Sequence, residues 1–360
     1  MDELQLARQE INAADEEMAR LFEKRMEAAR KIAAYKKEHG LPVFDEAREK
    51  QVLESGAERV EDDELRGYYT EFLRDVMTVS KQFQSCLMEG MKIAYCGAPG
   101  AFACLAAGKV FPDAKKIGFP SFKEAYAAVE NGECDAAVLP LENSFAGEVG
   151  QVTDLLFSGS LFINGTTALS VSHDLLAARG TRLEDVTEVV SHPQALAQCS
   201  AFLKAHHLRE TTFENTALAA QYVVEKHDPH LAAIASSASA EEYGLDILAQ
   251  NIQDVQNNTT RFAILSRAEN RSLAKRSGAH FVLMFTVKNE AGALARALNI
   301  VGAHGFNMRT LRSRPMKELL WQYYFYLEAE GNIHGNEGKC MLEELQVCCD
   351  RVKPVGTFTE

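Results

Sequence analysis

The first 38 residues restrict the possible folds more than any other stretch of the chain. Residues 2–38 contain neither proline nor glycine, so nothing in them interrupts a helix. Apolar side chains recur every seven residues, at Leu4, Ile11, Met18 and Ile32, which places them on one helical face. The pattern predicts a single helix of about ten turns.

Two shorter helical patterns follow this helix. Gly40 and Pro42 end the first pattern, and helical periodicity returns over residues 45–60 and 62–86. Residues 1–88 are therefore predicted to form a thin, all-helical domain.

Arg25 is an unusual residue for its position. It falls on the apolar row of the first helix, where a guanidinium without an anionic partner would be costly. Lys36 returns to almost the same face roughly 16 Å further along the axis, so both cations can reach one small molecule. Arg8 lies about 25 Å before Arg25 and about 100° round the helix. It could join the same site only from a second, antiparallel chain.

Polar residues on the next two helices extend this pattern. Asp45, Arg48 and Glu49 begin the second helix, whereas Ser80 and Gln84, four residues apart, share one face of the third. Taken singly, each has a plain surface explanation. Asp45 suits an N-cap, Arg48 and Glu49 suit solvated ion pairs, and the other two suit exposed polar positions.

Together with Arg8, Arg25 and Lys36, these residues resemble the all-helical chorismate mutase family in type, order and spacing over residues 1–86. The resemblance implies an intertwined homodimer that rearranges chorismate to prephenate without a cofactor. It assigns the chorismate carboxylates to Arg8, Arg25 and Arg48, the ether oxygen to the catalytic pair Lys36 and Gln84, and the hydroxyl and ring to Asp45, Glu49 and Ser80. Positioned cations would hold the reactive conformer and stabilise charge on the ether oxygen.

From Glu89 onward, strands alternate with helices. A strand begins at Lys92, and the following turn, Gly97–Phe102, leads into a helix that offers backbone N–H groups to an anion. This turn lacks the Gly-x-Gly-x-x-Gly spacing of dinucleotide sites. The alternation predicts an α/β domain over residues 91–268, with a cleft between two lobes.

Polar residues follow several of these strands, where open α/β sheets bind ligands. They are Glu142-Asn143-Ser144, Ser191-His192-Pro193-Gln194 and Asn215-Thr216-Ala217. A further polar group, Asn258-Thr259-Thr260-Arg261-Phe262, lies directly ahead of an apolar run that predicts a buried strand. We interpret His192 as a helix cap, because it precedes a proline that suits the first helical position. For the last group alone, a turn with locally satisfied side chains is the plainer explanation.

This set of motifs resembles prephenate dehydratase over the whole segment. The resemblance implies a bilobed fold like that of periplasmic binding proteins, with Thr260 as the catalytic residue. It implies that prephenate is bound by Glu142, Asn143, Ser144, Asn215, Thr216 and Arg261. The proton for the departing hydroxide would come from Thr260 or from Glu142. The family's first glycine turn carries hydroxyl residues where this chain has Ala101 and Ala103.

Residues 268–278 suggest a linker, and residues 279–357 predict the order βαββαβ. In the third strand of that order, Trp321, Tyr323, Phe325 and Leu327 alternate with other side chains. The alternation predicts a sheet with helices on one face and a partner or ligand on the other. A small packed α+β domain explains the pattern equally well.

Two motifs in this region resemble the ACT regulatory domain of dehydratases. The resemblance implies that phenylalanine is bound by Gly292, Ala293, Leu294, Ser313, Arg314 and Pro315. The family has an acidic residue directly before Ser-Arg-Pro, whereas this chain has Arg312. Phenylalanine feedback is therefore a hypothesis.

Composition excludes several functional classes. The net charge of −13 argues against nucleic acid or an anionic membrane as partner. The eight cysteines show no Cys-x-x-Cys spacing, so neither a zinc site nor a disulfide framework is indicated. No apolar run is long enough to span a membrane, and the N-terminus has no signal-peptide core. We expect a cytoplasmic protein without a metal.

The three segments together predict a bifunctional chorismate mutase and prephenate dehydratase with a phenylalanine-sensing domain. One alternative is a mutase fused to a prephenate dehydrogenase, which the missing dinucleotide motif disfavours. Another is a mutase fused to an amino-acid-binding sensor without catalysis. Thr260 distinguishes the sensor from the enzyme, because only the enzyme needs a donor over a leaving group.

Overall fold

The computed structural model describes residues 2–316 and 322–359, except for the side chain at position 275. It divides into two compact units, Met1–Met91 and Lys92–Glu360.

The first unit contains the three predicted helices. They are α1 (Glu3–Glu38), α2 (Glu46–Ala57) and α3 (Arg66–Glu89). Ala29 and Ala33 of α1 and Met77 of α3 are buried. Gly56 of α2 allows close packing on α3, since a Cβ there would lie 2.4 Å from Leu73 Cδ2. The all-helical prediction is confirmed.

Much of the apolar stripe of α1 is exposed. Leu4, Ile11, Met18 and Ile32 are 55%, 60%, 47% and 48% exposed. Isolated apolar side chains are common at surfaces, but a continuous helical row of them indicates a surface that packs against something else.

The second unit is built on two sheets, and its secondary structure alternates as predicted. Its strands are β1 (Lys92–Cys96), β2 (Lys115–Phe119), β3 (Ala136–Asn143), β4 (Gly147–Glu148), β5 (Phe162–Ser170), β6 (Asp174–Ala177), β7 (Glu188–Ser191), β8 (Arg209–Thr212), β9 (Leu231–Ala235), β10 (Asp246–Ala249), β11 (Thr259–Ser266), β12 (Ala279–Thr286), β13 (Asn307–Pro315), β14 (Tyr323–Glu330) and β15 (Arg351–Thr359). Its helices are α4 (Phe102–Val110), α5 (Phe122–Glu130), α6 (Gly150–Ser158), α7 (Pro193–Gln198), α8 (Ser200–Ala205), α9 (Thr216–Lys226), α10 (Ser237–Tyr243), α11 (Ala293–Ala303) and α12 (Asn336–Cys348).

Each sheet forms the centre of one lobe. Among the described residues, the larger sheet has the order β13-β14-β12-β15-β5-β11-β3-β1-β2, with β4 on β3. The smaller sheet has the order β10-β6-β9-β7-β8. The chain passes between the sheets twice, after β5 and before β11, and the two crossing segments lie side by side. Val171 N donates to Asn258 O at 2.8 Å, and Ile252 N donates to His173 O at 2.9 Å. The predicted bilobed α/β arrangement is confirmed.

Residues 279–359 have the predicted order βαββαβ, in the spatial order β13-β14-β12-β15. Trp321, which contributed to the alternation in the sequence, lies outside the described residues. One face of these strands packs on α11 and α12 through a core that includes Phe281, Leu283 and Phe285.

The opposite face of the C-terminal strands is covered by the neighbouring lobe. Met284 and Tyr326 belong to one buried cluster with residues of α5 and α6. Lys353 of β15 donates to Leu156 O at 2.6 Å, and burial lowers the pKa of its ammonium group to about 8. The sequence predicted a partner or ligand on this face, and the structure places the lobe itself there.

The C-terminal strands also continue the sheet of that lobe, through Gly356 of β15 and Ile163 of β5. Gly356 has φ +149°, and a Cβ there would lie 2.1 Å from Ile163 O. Only glycine fits this close approach.

We predict that Gly356→Ala lowers the free energy of unfolding of the second unit by about 2–4 kcal/mol, because it adds backbone strain and a clash. Denaturation by urea, followed by fluorescence of the single tryptophan, Trp321, measures this loss. The control is Gly302→Ala in α11, where a Cβ meets nothing within 4 Å and a gain of about 0.5–1 kcal/mol is expected. Equal midpoints for the two variants would contradict the prediction.

Candidate functional site

In the helical unit, three predicted residues meet between α1 and α3. Arg25 Nη1 donates to Ser80 Oγ at 2.7 Å, and Ser80 Oγ donates to Val76 O at 2.9 Å. Gln84 Nε2 donates to Ser80 O at 3.3 Å. Within the described part of the chain, the buried Gln84 Oε1 has no hydrogen-bond partner. Arg25, Ser80 and Gln84 therefore form one partly buried polar cluster.

The other predicted residues of this unit have local partners. Lys36 Nζ donates to Val43 O at 2.7 Å, and Asp45 caps α2 by accepting from Arg48 N at 3.0 Å. Arg48 Nη1 donates to Gln51 Oε1 at 2.7 Å. The Asp45 cap is as predicted.

Lys81 is a functional candidate that the sequence analysis did not assign. Its ammonium group forms an ion pair with Glu49 Oε1 at 2.6 Å and lies 5.4 Å from the centre of the Phe44 ring. Glu49 therefore faces a cation before any ligand binds. Arg8 is exposed on the first half of α1.

The second unit has a cavity of about 560 Å³ between its lobes. Four predicted residues line it: Asn143, Asn215, Thr216 and Thr260. Ala101 and Ala103 of the glycine turn line it too. The predicted cleft thus exists, and both lobes contribute to it.

Thr260 lies opposite Asn143 in the antiparallel pair of β11 with β3. Asn143 Oδ1 accepts the backbone N–H groups of Phe145 and Ala146 at 3.0 and 2.9 Å, which fixes the orientation of its carboxamide. The amide Nδ2 then donates to Thr260 Oγ1 at 2.9 Å. Over residues 2–316 and 322–359, no acceptor is recorded for the Thr260 hydroxyl hydrogen. Thr260 is therefore arranged to donate that hydrogen to a ligand.

Helix N-termini provide the positive potential in the cavity. None of its lining residues in the described chain is lysine or arginine. The first turn of α4 borders it, and Ala101, the N-cap of that helix, makes no side-chain cap. Asn215 and Thr216 at the start of α9 lie on the other lobe. Free backbone N–H groups and helix dipoles suit an anion, as expected for the glycine turn.

Glu142 and Arg261 are predicted to contact the ligand, and neither is among the described residues that line the cavity. Arg261 forms a bidentate pair with Glu328, at 3.0 and 2.7 Å, and its Nε lies 2.8 Å from Glu142 Oε1. Arg312 pairs with Glu142 as well. The reason is strand geometry, since successive side chains point to opposite faces. Asn143 and Thr260 face the cleft, so their neighbours in the chain face away.

Ser144 is also outside the cavity lining. Its hydroxyl donates to Asn257 O at 3.0 Å and accepts from Thr259 N at 2.9 Å. It therefore joins the end of β3 to the segment before Thr260. Contact of Ser144 with the ligand stays a prediction.

Two histidines line the cavity, and one of them was not found from the sequence. His192 Nδ1 accepts from Gln194 N at 3.2 Å, which confirms the predicted helix cap, and burial lowers its pKa. His173 is 3% exposed, and burial lowers its pKa also. It lies between two strands in a stretch with no recognisable motif.

The predicted effector residues lie toward one end of the C-terminal strands. Gly292 has φ +80° and directly precedes α11, consistent with the predicted glycine at a helix start. Arg314 Nε donates to Asp154 Oδ1 at 3.1 Å, and Tyr324 donates to the same oxygen at 2.6 Å. These contacts tie β13 and β14 to α6.

None of the described helices combines the length and the apolar composition of a membrane span. No group of three or more His, Cys, Asp or Glu side chains in the described part of the chain could hold a metal ion.

Comparison with known proteins covers both units. The family model for prephenate dehydratase matches residues 93–270, and that for chorismate mutase type II matches residues 7–85. The bifunctional chorismate mutase/prephenate dehydratase of Aquifex aeolicus (strain VF5) is 30% identical over 99% of this chain and 98% of its own length.

Two solved structures resemble the second part of the chain. A prephenate dehydratase from Arthrobacter aurescens in complex with L-Phe is 28% identical, with a TM-score of 0.68, over 75% of this chain and 90% of its own. GqqA, described as a novel type of quorum quenching acylase, is 33% identical, with a TM-score of 0.68, over 74% of this chain and 97% of its own.

The partners of Arg261 predict a structural role that can be tested. Glu328→Gln should lower the free energy of unfolding by about 3 kcal/mol, because it weakens a buried ion pair. Urea denaturation measures the change. The control, Glu290→Gln, loses only an exposed pair with Arg296 and should cost less than about 1 kcal/mol. Equal losses would argue against a structural role for the Arg261 pair.

Proposed function

The chain belongs to the family of bifunctional chorismate mutase/prephenate dehydratases, and from this we propose how its two sites carry the two reactions. The helical unit rearranges chorismate to prephenate. The interlobe cleft then removes carbon dioxide and hydroxide from prephenate to give phenylpyruvate. The observation that carries the second assignment is the Thr260 hydroxyl, held by Asn143 with its hydrogen available to a ligand.

In the mutase site, the cluster of Arg25, Ser80 and Gln84 forms the centre. Ser80 orients the Arg25 guanidinium toward a carboxylate of chorismate. Lys36 and Gln84 act on the ether oxygen, where negative charge develops as the bond breaks. No covalent step is required, because holding one conformer and stabilising this charge accelerate a unimolecular rearrangement.

The remaining mutase residues fit a homodimer. Arg48 joins Arg25 on the carboxylates, Asp45 and Glu49 face the hydroxyl and ring, and Arg8 comes from the second chain. The exposed apolar stripe of α1, from Leu4 to Ile32, supports this arrangement, since a second copy of α1 would bury it.

In the dehydratase site, Thr260 donates a hydrogen bond to the leaving hydroxyl as its carbon–oxygen bond breaks. The ring carboxylate leaves as carbon dioxide, and the ring becomes aromatic. Helix N-termini at Ala101 and Asn215 hold the carboxylates of prephenate. Glu142 is not assigned as the acid, because it lies outside the cavity lining in ion pairs with two arginines.

The similarity to an acylase suggests a second candidate function, which the cleft does not favour. Acyl transfer by a hydroxyl needs an adjacent base to accept its proton. Thr260 Oγ1 instead accepts a hydrogen bond from an amide, and His173 Nε2 is bonded to Gln198. The hydroxyl is thus a donor to a leaving group and is not activated as a nucleophile.

The two sites should be separable by mutation in the intact chain. With chorismate alone, the wild type should release phenylpyruvate. Thr260→Ala should accumulate prephenate, with dehydratase turnover reduced by about 10²–10³-fold, as for loss of one transition-state donor. Arg25→Ala should lose chorismate consumption but keep turnover of supplied prephenate. Both reactions are followed by chromatography of the products.

One control is a conservative substitution of Thr260, and the other is a substitution outside the two proposed sites. Thr260→Ser keeps the donor and should retain most activity. Arg20→Ala removes an exposed arginine of α1 that pairs with Glu16 and should change neither reaction. Phenylpyruvate formed by Thr260→Ala at the normal rate would refute the assigned role of Thr260, and loss of both activities in Arg25→Ala would argue against separate sites.

For the C-terminal segment we propose an ACT domain that binds phenylalanine. Its βαββαβ order supports this, as does the related dehydratase solved with L-Phe. The binding residues are Gly292, Ala293, Leu294, Ser313, Arg314 and Pro315. We place the enzyme in the cytoplasm, consistent with eight free cysteines, because thiols persist in reducing compartments.

Arg312 supplies a route from that domain to the cleft. It precedes the Ser313–Pro315 motif and pairs with Glu142, the residue before Asn143. Movement of β13 on binding phenylalanine would therefore reach β3, whose Asn143 donates to Thr260 Oγ1.

We predict that Arg312→Gln weakens inhibition of prephenate turnover by phenylalanine at least about 5-fold, the low end of ordinary coupling, while phenylalanine still binds. Turnover across a phenylalanine titration, with calorimetry for binding, measures both quantities. Arg309→Gln is the control, because Arg309 is on the same strand but is exposed and pairs with Glu330 instead of Glu142. An unchanged inhibition curve in Arg312→Gln would exclude this route, and no phenylalanine effect in the wild type would exclude the ACT assignment.

A further inference from the structure

A chain of side-chain hydrogen bonds connects His173 to Thr260. His173 Nε2 lies 2.9 Å from Gln198 Oε1, and Asn258 Nδ2 donates to the same oxygen at 3.1 Å. Asn143 Nδ2 donates to Asn258 Oδ1 at 2.7 Å and to Thr260 Oγ1 at 2.9 Å. All five residues are buried, and all five line the cleft.

The direction of every hydrogen bond in this series follows from its Asn143 end. Two backbone N–H groups occupy Asn143 Oδ1, so its NH2 group must donate to Asn258 Oδ1. The NH2 group of Asn258 must then donate to Gln198 Oε1. Because Gln198 Oε1 is an acceptor, His173 Nε2 must carry a hydrogen. The tautomer of His173 is thereby determined.

The other ring nitrogen of His173 has a different environment. Among the described residues, the buried Nδ1 has no hydrogen-bond partner. The ring forms a T-shaped pair with Phe102 of α4, with ring centroids 5.7 Å apart, and it contacts the neutral Gln198 of α7. Asp174, its neighbour in the chain, raises the pKa of the ring, whereas burial, the larger effect, lowers it. A second proton on Nδ1 would be buried without an acceptor, so the neutral ring is favoured.

This series of hydrogen bonds also spans the junction of the two lobes. His173 lies on the first crossing segment and Asn258 on the second, while Gln198 belongs to α7 of the smaller-sheet lobe. Asn143 and Thr260 lie on the larger sheet. Loss of His173 lets Gln198 and then Asn258 move. Asn143 keeps its two backbone partners, but its NH2 group loses the acceptor Asn258 Oδ1 that helps to position it on Thr260 Oγ1.

We propose that His173 is a positioning residue of the dehydratase reaction, whose Nε2–H holds Gln198 and, through Asn258 and Asn143, keeps the Thr260 hydroxyl a donor to the leaving group. This rests on the proposed role of Thr260 in dehydration. The imidazole acts through the amides and does not itself contact prephenate.

Two substitutions at position 173 distinguish positioning from simple packing. His173→Leu removes the donor, and should lower kcat for prephenate by about 10- to 100-fold, with a smaller change in KM. His173→Gln can return an N–H to Gln198, and should recover most of that loss. Chorismate consumption by the same molecules is the internal control and should not change. His206→Gln, at an exposed histidine, is the matched control.

The pH profile provides a second, independent measurement. Protonation would add a hydrogen at Nδ1 and leave the Nε2–H bond to Gln198 in place, so a positioning role gives kcat for prephenate no acid limb of its own. The wild type and His173→Gln should therefore show the same pH profile. If His173→Leu fails to fold, as circular dichroism would reveal, His173→Gln and its pH profile still decide.

Three results would overturn the inference. The first is a kcat in His173→Leu equal to that of the wild type, and the second is a loss in His173→Gln as large as in His173→Leu. The third is an acid limb of the wild type that disappears in His173→Gln, which would indicate direct proton transfer by the imidazole. Failure of the proposed function is distinguishable, because Thr260→Ala would then also retain turnover.

Discussion

The pairing of β3 with β11 is the interaction on which the dehydratase site depends. Its register places Asn143 opposite Thr260 and Glu142 opposite Arg261. Side chains alternate along a strand, so a single register builds a neutral polar site on one face and an ionic cluster on the other. A shift of one residue would exchange the two faces and destroy both.

The ion pairs on the second face give Glu142 and Arg261 a structural role. Arg261 is held by Glu142 and Glu328, and Arg312 pairs with Glu142. Glu328 and Arg312 belong to the C-terminal strands, whereas Glu142 and Arg261 belong to the cleft strands. The charges therefore join the two parts of the second unit, and the shared core and the contact at Gly356 join them again. The C-terminal strands are built into the lobe that carries Thr260.

The helical unit differs, because it leaves a buried polar atom without a partner among the described residues and an apolar stripe exposed. Arg25, Ser80 and Gln84 are already assembled, but Gln84 Oε1 is buried without a partner in the described residues, and the α1 stripe is exposed. A buried polar atom without a partner costs about 1–3 kcal/mol, which a ligand can recover. Both features are consistent with the substrate site and the homodimer proposed above.

The sequence by itself determined the order of elements and much of the chemistry. The absence of helix breakers predicted α1, the change of period at Glu89 predicted the boundary between units, and polar residues at the ends of strands indicated Asn143, Asn215, Thr216 and Thr260. Local patterns suffice for these features, because helices, strands and caps depend on neighbours in the chain. Only the tertiary structure decided which side of each strand faces the cleft. It therefore moved Glu142 and Arg261 into ion pairs with Glu328 and Arg312, residues far away in sequence. It also brought His173 and Gln198 to Thr260, since contacts between distant residues follow from register and lobe packing, which leave no local signal.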